Sequence, residues 1–226
     1  MQLPYSDVLD IAHFSRLFDK KSECYKLFWF QAIARKVKEG HKVITFKTLI
    51  NEMIADAWYM VSEYHLNLGP NDALERVVHR LSEISHMRSC EKKEVILEYL
   101  AACEDKEVMT MKRTLSQNVP YRLQGPFMES MKGKEWKRSG KDLAARINQE
   151  RRLMYYFLQF HGLGTQIEIQ DEWADYIGQN YEIIQGWVEF NLIQYLQRRN
   201  PSVPGIVDKL YSPRERNLEK VKNTGK

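Results

Sequence analysis

Residues 45–64 read TFKTLINEMIADAWYMVSEY, and their spacing sets the terms for the rest of the chain. Ile50, Met53, Ile54, Ala57, Trp58, Val61 and Tyr64 recur at intervals of three and four, which places them on one stripe of a helix. Thr45, just ahead of the run, can accept from an early backbone N–H and opens that helix. Such a stripe has to be covered by something equally apolar. Upstream, residues 23–39 read ECYKLFWFQAIARKVKE; Ser22 is placed to cap them, and Leu27 to Phe30 with Ala32 to Ala34 leave almost no polar face. This predicts a buried central helix. Downstream, Gly69-Pro70 forces a break and Asn71 or Asp72 caps a third helix. There Leu74, Val77, Val78, Leu81 and Ile84 repeat the pattern. Short helices are expected over 91–103 and 106–117. Helices packed on helices bury these faces most simply. The expected fold is therefore all-α, an irregular multi-helix bundle with at most a short β-hairpin around Thr165 to Ile169.

NVPYRLQGPF (118–127) holds two prolines and a glycine, and MKGKEWKRSGK (131–141) is basic and glycine-punctuated. Residues 119–141 therefore read as a long loop. Helix is expected to resume over 142–160. HGLGTQIEIQ (161–170) predicts a turn and a short extended piece, and helices follow over 171–178 and 181–199. The last of these carries two ridges, Ile184, Val188, Tyr195 and Ile183, Trp187, Phe190, and Pro201 and Pro204 lie just beyond it. The expected organisation is a helical subdomain over 1–118, a basic loop or hinge over 119–141 and a second helical subdomain over 142–226, with a single continuous domain as the alternative. Ser212-Pro213 opens a final helix over 214–222. Its thin Leu218/Val221 stripe runs into the polar end NTGK.

With 226 residues, 43% of them hydrophobic and 12% aromatic, the chain can bury a substantial core. Its apolar runs are far shorter than a bilayer span and its start is not a signal sequence, so a soluble cytoplasmic protein without membrane contact is expected. Cys24, Cys90 and Cys103 are odd in number and widely spaced, which points to reduced thiols. The net charge of +4 is unevenly distributed. Residues 130–155 hold eight Lys/Arg against three acids, and residues 198–226 again eight against three. Each segment is thus +5, and the remainder is −6. Segregated positive charge attracts a polyanion by releasing its counterions.

HRLSEISH (79–86) sets His79, Glu83 and His86 at metal-ligand spacing along one helical face, although such a face is more often simply solvated. His65 ends a helix before a turn, where capping is its expected role, and Asp56 with Glu63 reads as ordinary helix surface. Phosphate-cradling glycine motifs are not present: GLGTQI lacks a third glycine, and no Gly-Lys pair is followed by Ser or Thr. The basic loop is more informative. Lys132, Lys134, Lys137, Arg138 and Lys141 surround Trp136, and Arg146, Arg151 and Arg152 follow. Cations for phosphates beside an aromatic that can stack on a base suit nucleic acid, DNA or RNA. Alternatively, the loop is merely solvated and its tryptophan tucks against the core. Arg198 and Arg199 extend the basic set, or only answer the helix dipole.

LPYSDVLDIAHFSRLFD, SECYKLFWFQAI, MIADAWYMVSEYHLNLGPND, NVPYRLQGPF and YLQRRNPSVPGIVDKL, taken in order, resemble the amino-terminal region of bacterial HNH endonuclease domain-containing proteins over nearly the whole chain. The resemblance implies a helical recognition or scaffold region followed, in the family, by a nuclease whose histidine, usually after an acidic residue, activates water beside one metal ion. In this chain no histidine follows Asp, Glu or His. No catalytic residue and no cofactor is therefore expected here, a divalent metal belonging only to the nuclease part. The family pattern continues past Leu-Glu-Lys-Val-Lys with Lys-Tyr-Trp-Lys, whose codons read one nucleotide out of frame can spell Asn-Thr-Gly-Lys; the expectation is a frameshifted or truncated end. The alternative function is a protein-interaction module that docks a partner nuclease subunit or a second copy.

Overall fold

A computed structural model describes residues 2–19, 24–151 and 153–211. The expected Ser22 cap, Arg152, the Leu218/Val221 stripe and the NTGK end lie outside the described residues. The fold is predominantly helical, with a small three-stranded antiparallel sheet in place of a hairpin.

A five-residue helix, α1 (Ile11–Ser15), is capped by Asp10, whose side chain accepts from the His13 N–H. Helix α2 (Tyr25–Lys38) follows. Leu27, Phe28, Trp29, Phe30, Ala32 and Ile33 are fully buried in it, as an almost wholly apolar segment demands. Strand β1 (Val43–Thr45) then leads directly into α3 (Phe46–Ser62). Thr45 ends the strand and caps the helix, its Oγ1 accepting from the Thr48 N–H at 3.1 Å. The expected stripe is buried through Val61, but Tyr64 falls beyond the helix end and is exposed. Asp72 caps α4 (Ala73–Ser85) by accepting from the Leu74 and Glu75 N–H groups. The two short helices are α5 (Lys93–Ala102) and α6 (Lys106–Leu115). Helix α3 packs against α2, α4 and α5, and α4 against α6.

Residues 119–141 form a chain of short turns rather than an open loop. Pro120 sits in the first turn of α7 (Val119–Arg122), where its missing N–H costs nothing. Two 3-10 turns follow, Gly125–Phe127 and Gly133–Lys137, before α8 (Gly140–Ile147). The helix expected over 142–160 forms only in its first part. It stops at Ile147 and the chain re-emerges as β2 (Tyr155–Gln159). Asn148 is the physical cause. Its amide donates to the Phe157 carbonyl at 2.7 Å and accepts from the Phe157 N–H at 3.0 Å, folding the aromatic run Tyr155-Tyr156-Phe157 back as a strand, the state aromatics favour.

Strand β3 (Gln166–Ile169) lies between β1 and β2, antiparallel to both, with Ile44 opposite Ile167 and Tyr155 opposite Ile169. Helices α9 (Asp171–Gln179) and α10 (Tyr181–Arg199) pack on α2. On α10 the ridge Ile184, Val188, Tyr195 is buried; of the other ridge only Trp187 is, while Ile183 and Phe190 are exposed. One hydrophobic cluster runs from Leu3 to Leu210 and draws on segments either side of residues 119–141. Among the described residues, no helix is long and apolar enough to cross a membrane.

Candidate nucleic-acid interface

The basic segment is held to the body by its apolar and amide side chains, which leaves its cations outward. Gln124 is fully buried. Its amide donates to the Tyr155 carbonyl at 2.9 Å, and its oxygen accepts from the N–H groups of Met154 (2.9 Å) and Tyr155 (3.1 Å). The Tyr155 hydroxyl donates to the Pro120 carbonyl. Leu123, Met128 and Met131 fill the space beneath.

Trp136 is half-buried against this layer. Its indole N–H donates to the Met131 carbonyl at 3.0 Å, and the Arg122 guanidinium stacks on it with 5.7 Å between the guanidinium carbon and the ring centre. Arg122 also donates to the Trp136 carbonyl at 3.3 Å. The tryptophan therefore tucks against the core with a cation on one face, the more ordinary of its two expected roles.

Two cavities share Trp136 and Arg122. One, of about 430 Å³, gathers Arg122, Lys137 and Arg138 with Tyr121, Ser139, Gly140 and Phe160. The other, of about 690 Å³, brings Lys132 together with Arg16 and Lys26, beside Asp19 and Glu129. Lys132, Lys134, Lys137, Arg138 and Lys141 are exposed and make no ion pair among the described residues. Arg146 is set apart from them: it pairs with Glu150 at 2.8 Å and donates to Ser130 Oγ at 3.2 Å. Arg151 lines a third cavity, of about 450 Å³, with Asp7, Asp10 and Glu172, so its surroundings are acidic. Arg198 donates to the Gln194 carbonyl at 3.3 Å, and Arg199 lies over the Tyr195 ring. Neither lines these cavities, and Arg198 occupies the end of α10 as a cation answering the helix dipole would. Arg122, Arg16 and Lys26 were missed in the sequence; Arg122 lies only fourteen positions before Trp136, but nothing in its spacing signals the stack.

The sequence also hides a buried ionic cluster. Glu52 and Asp56, one turn apart on α3, meet Arg35, Lys36 and Lys93. Arg35 lies 2.8 Å from Glu52 and 3.0 Å from Asp56; Lys93 lies 2.6 Å and 2.5 Å from them, and Lys36 is 2.7 Å from Glu52. Gln31 adds a hydrogen bond to Asp56 at 3.1 Å. Burial alone would raise the Glu52 carboxyl, but Lys93, Lys36 and Arg35 overcome it and hold it at about 2. Asp56 is thus not the surface acid expected. Glu63 is exposed and accepts from Ser89.

The metal-like trio does not converge. Helix α4 ends at Ser85, and His86 takes a left-handed backbone outside it. Glu83 turns to Arg80 at 3.7 Å, and His79 stacks on His65 and approaches Glu75 at 3.9 Å. Among the described residues no group of three His, Cys, Asp or Glu side chains could hold a metal ion. His65 ends α3 through its backbone, its N–H reaching the Val61 carbonyl at 3.0 Å. His13 lies between Asp10 (2.6 Å) and Glu129 (3.1 Å), joining α1 to the basic segment.

Compared with known proteins, the chain matches no family model, and no curated protein or solved structure matches it.

Proposed function

We propose that this chain is a cytoplasmic nucleic-acid-binding body, the recognition or scaffold region of an HNH-type nuclease, which grips phosphates through residues 132–141 and does not itself cleave them. The observation that carries this reading is the row of exposed cations, Lys132, Lys134, Lys137, Arg138 and Lys141, which have no carboxylate partner among the described residues and are mounted on a segment anchored by Gln124 and Trp136. Cations fixed on a stable support need little reordering to meet a phosphate backbone, and such contacts give affinity without sequence choice. Replacing Lys134, Lys137 and Arg138 together with glutamate is expected to abolish salt-sensitive retention of DNA and RNA. Undiminished binding would remove the reading. Divalent-ion-dependent degradation by the pure wild-type chain would overturn its non-cleaving part.

A second reading, docking of a partner subunit or a second copy, is favoured by Ile183 and Phe190. These stand exposed, two turns apart, on one face of α10. Lysine at both positions is expected to leave nucleic-acid binding intact and to lower the sedimenting mass if this face is an interface. An unchanged mass would count against it.

A further inference from the structure

The cavity of about 430 Å³ beside Trp136 is lined by cations, neutral polar groups and apolar rings, with no carboxylate among the described residues that line it. Arg122, Lys137 and Arg138 supply the charge. Ser139 and Gly140, the cap and first residue of α8, supply part of the wall, so the positive end of a helix opens onto it. The backbone N–H groups of Gly140 and Lys141 donate to no group among the described residues. Asp142, in the same first turn, is held by the Ser139 hydroxyl at 2.7 Å and stays outside the lining.

A helix end with cations around it would not be enough on its own. Tyr121 supplies an independent observation. Its side chain is only 1% exposed, yet its hydroxyl has no hydrogen-bond partner among the described residues and faces this cavity. The hydroxyl hangs over the start of α8, at 2.7 Å from where a Cβ on Gly140 would stand, so position 140 has room for glycine alone unless Tyr121 moves. The hydroxyl reaches the cavity with no protein partner among the described residues, and beside Arg122, Lys137, Arg138 and the first N–H groups of α8 it adds one more donor for a ligand rich in acceptor oxygens. Burial pushes the Tyr121 hydroxyl up to about 12, so it remains a protonated donor throughout the neutral range.

We infer that this cavity binds a phosphate monoester dianion, carried either by a nucleoside monophosphate or by the phosphorylated end of a nucleic-acid strand. For its choice of ligand the inference rests on the nucleic-acid reading. The volume suits one nucleotide and excludes a duplex. Exposed Phe160 gives that nucleotide an apolar wall on which its base can lie. The monoester carries nearly two charges at neutral pH and three acceptor oxygens, against one charge for a phosphate inside a strand.

Calorimetric titration of the full chain tests this with four probes: a nucleoside monophosphate, the same nucleoside without phosphate, and single-stranded oligonucleotides ending in phosphate or in hydroxyl. The phosphate-ended strand is expected to bind about tenfold tighter than the hydroxyl-ended one, and the monophosphate to bind where the nucleoside does not. A monophosphate as tight as the phosphorylated strand makes the free nucleotide the ligand; a tighter strand assigns the site to strand ends. Tyr121→Phe removes an oxygen that has no hydrogen-bond partner among the described residues. It should keep the melting temperature and the hydroxyl-ended affinity while erasing most of the end preference; Arg138→Gln, which also removes a cation from the strand-binding row, should weaken both strands and still lower the ratio of phosphate-ended to hydroxyl-ended affinity. Strands that bind with salt dependence but no end preference, alongside a monophosphate that does not bind, would sink the inference and leave the nucleic-acid reading standing. A preference that both variants leave intact would also sink it. A monophosphate that binds while no strand does would keep the cavity and end the nucleic-acid reading.

Discussion

Lys112 is fully buried on α6, its ammonium donating to the Leu100 carbonyl at the end of α5 (2.9 Å), while Lys47 reaches the neighbouring Ala101 carbonyl at 3.1 Å. Burial lowers Lys112 to about 8, so the fold strains against its charge at neutral pH. Between about 8 and the ordinary lysine range, the unfolded chain holds a proton that the folded chain has shed. Stability contributed by this group therefore rises with pH across that window. The difference in unfolding free energy between wild type and Lys112→Met, followed by urea denaturation, should shift in favour of wild type from pH 8 to pH 10; a flat difference would refute the assignment. Glu52 behaves oppositely. Its carboxyl sits at about 2 in the fold and near 4.5 when unfolded, so its contribution is complete above the latter and disappears as pH falls through the former. Glu52→Gln leaves Lys93 and Lys36 short of a partner and should cost about 3 kcal/mol or more at pH 7, with the deficit shrinking as wild type is acidified. Neither residue announced itself in the sequence. A glutamate at position 52 falls beside the apolar stripe of α3, and only the arrival of α2 and α5 seals it from water.

At the scale of the element, Gln124 and Asn148 do the work that hydrophobic periodicity could not reveal. Each occupies the backbone of β2 from outside the sheet, and together they satisfy an edge that pairs with β3 on one side only. Gln124→Leu fills similar space but leaves the Met154 and Tyr155 N–H groups and the Tyr155 carbonyl unpaired in a buried setting. It is expected to lower stability by about 2–4 kcal/mol, read as a shift in the urea midpoint with an unchanged slope. The long helices α2, α3, α4 and α10 were legible because each carries many apolar residues in register, and α3 and α4 also have polar caps. Strand β1, three residues long, was not legible. Its Val43-Ile44-Thr45 gives no period to count, and its extended state is decided by β3 arriving from far along the chain. The segment after Ile147 misled for a related reason: Leu153, Met154 and Tyr155 continue a helix-like sequence, while the side chain that turns them lies at Asn148.

For the molecule as a whole, the continuous cluster from Leu3 to Leu210 sets the expectation for unfolding. Calorimetry is expected to show one cooperative transition, since the buried cluster draws on segments either side of residues 119–141; two resolved transitions would favour the two-subdomain organisation. The candidate site was legible as charge but not as place. Composition pointed to residues 130–155, yet only the tertiary arrangement separates Lys134, Lys137 and Arg138, which make no ion pair among the described residues, from Arg146 on Glu150 and Arg151 among Asp7, Asp10 and Glu172. Those distinctions rest on contacts between segments far apart in the chain, which no local pattern encodes.

The central position of β3 bears on how this chain reaches its native state. Val43 pairs with Glu168, so the middle strand must capture a partner made 125 residues earlier. During synthesis the helices around α3 can collapse long before β3 leaves the ribosome, and the edge of β1 waits unpaired in the meantime. Such a distant closure is slow to nucleate, which makes completion of this sheet the natural late step of folding and the waiting edge the place where misassociation would begin.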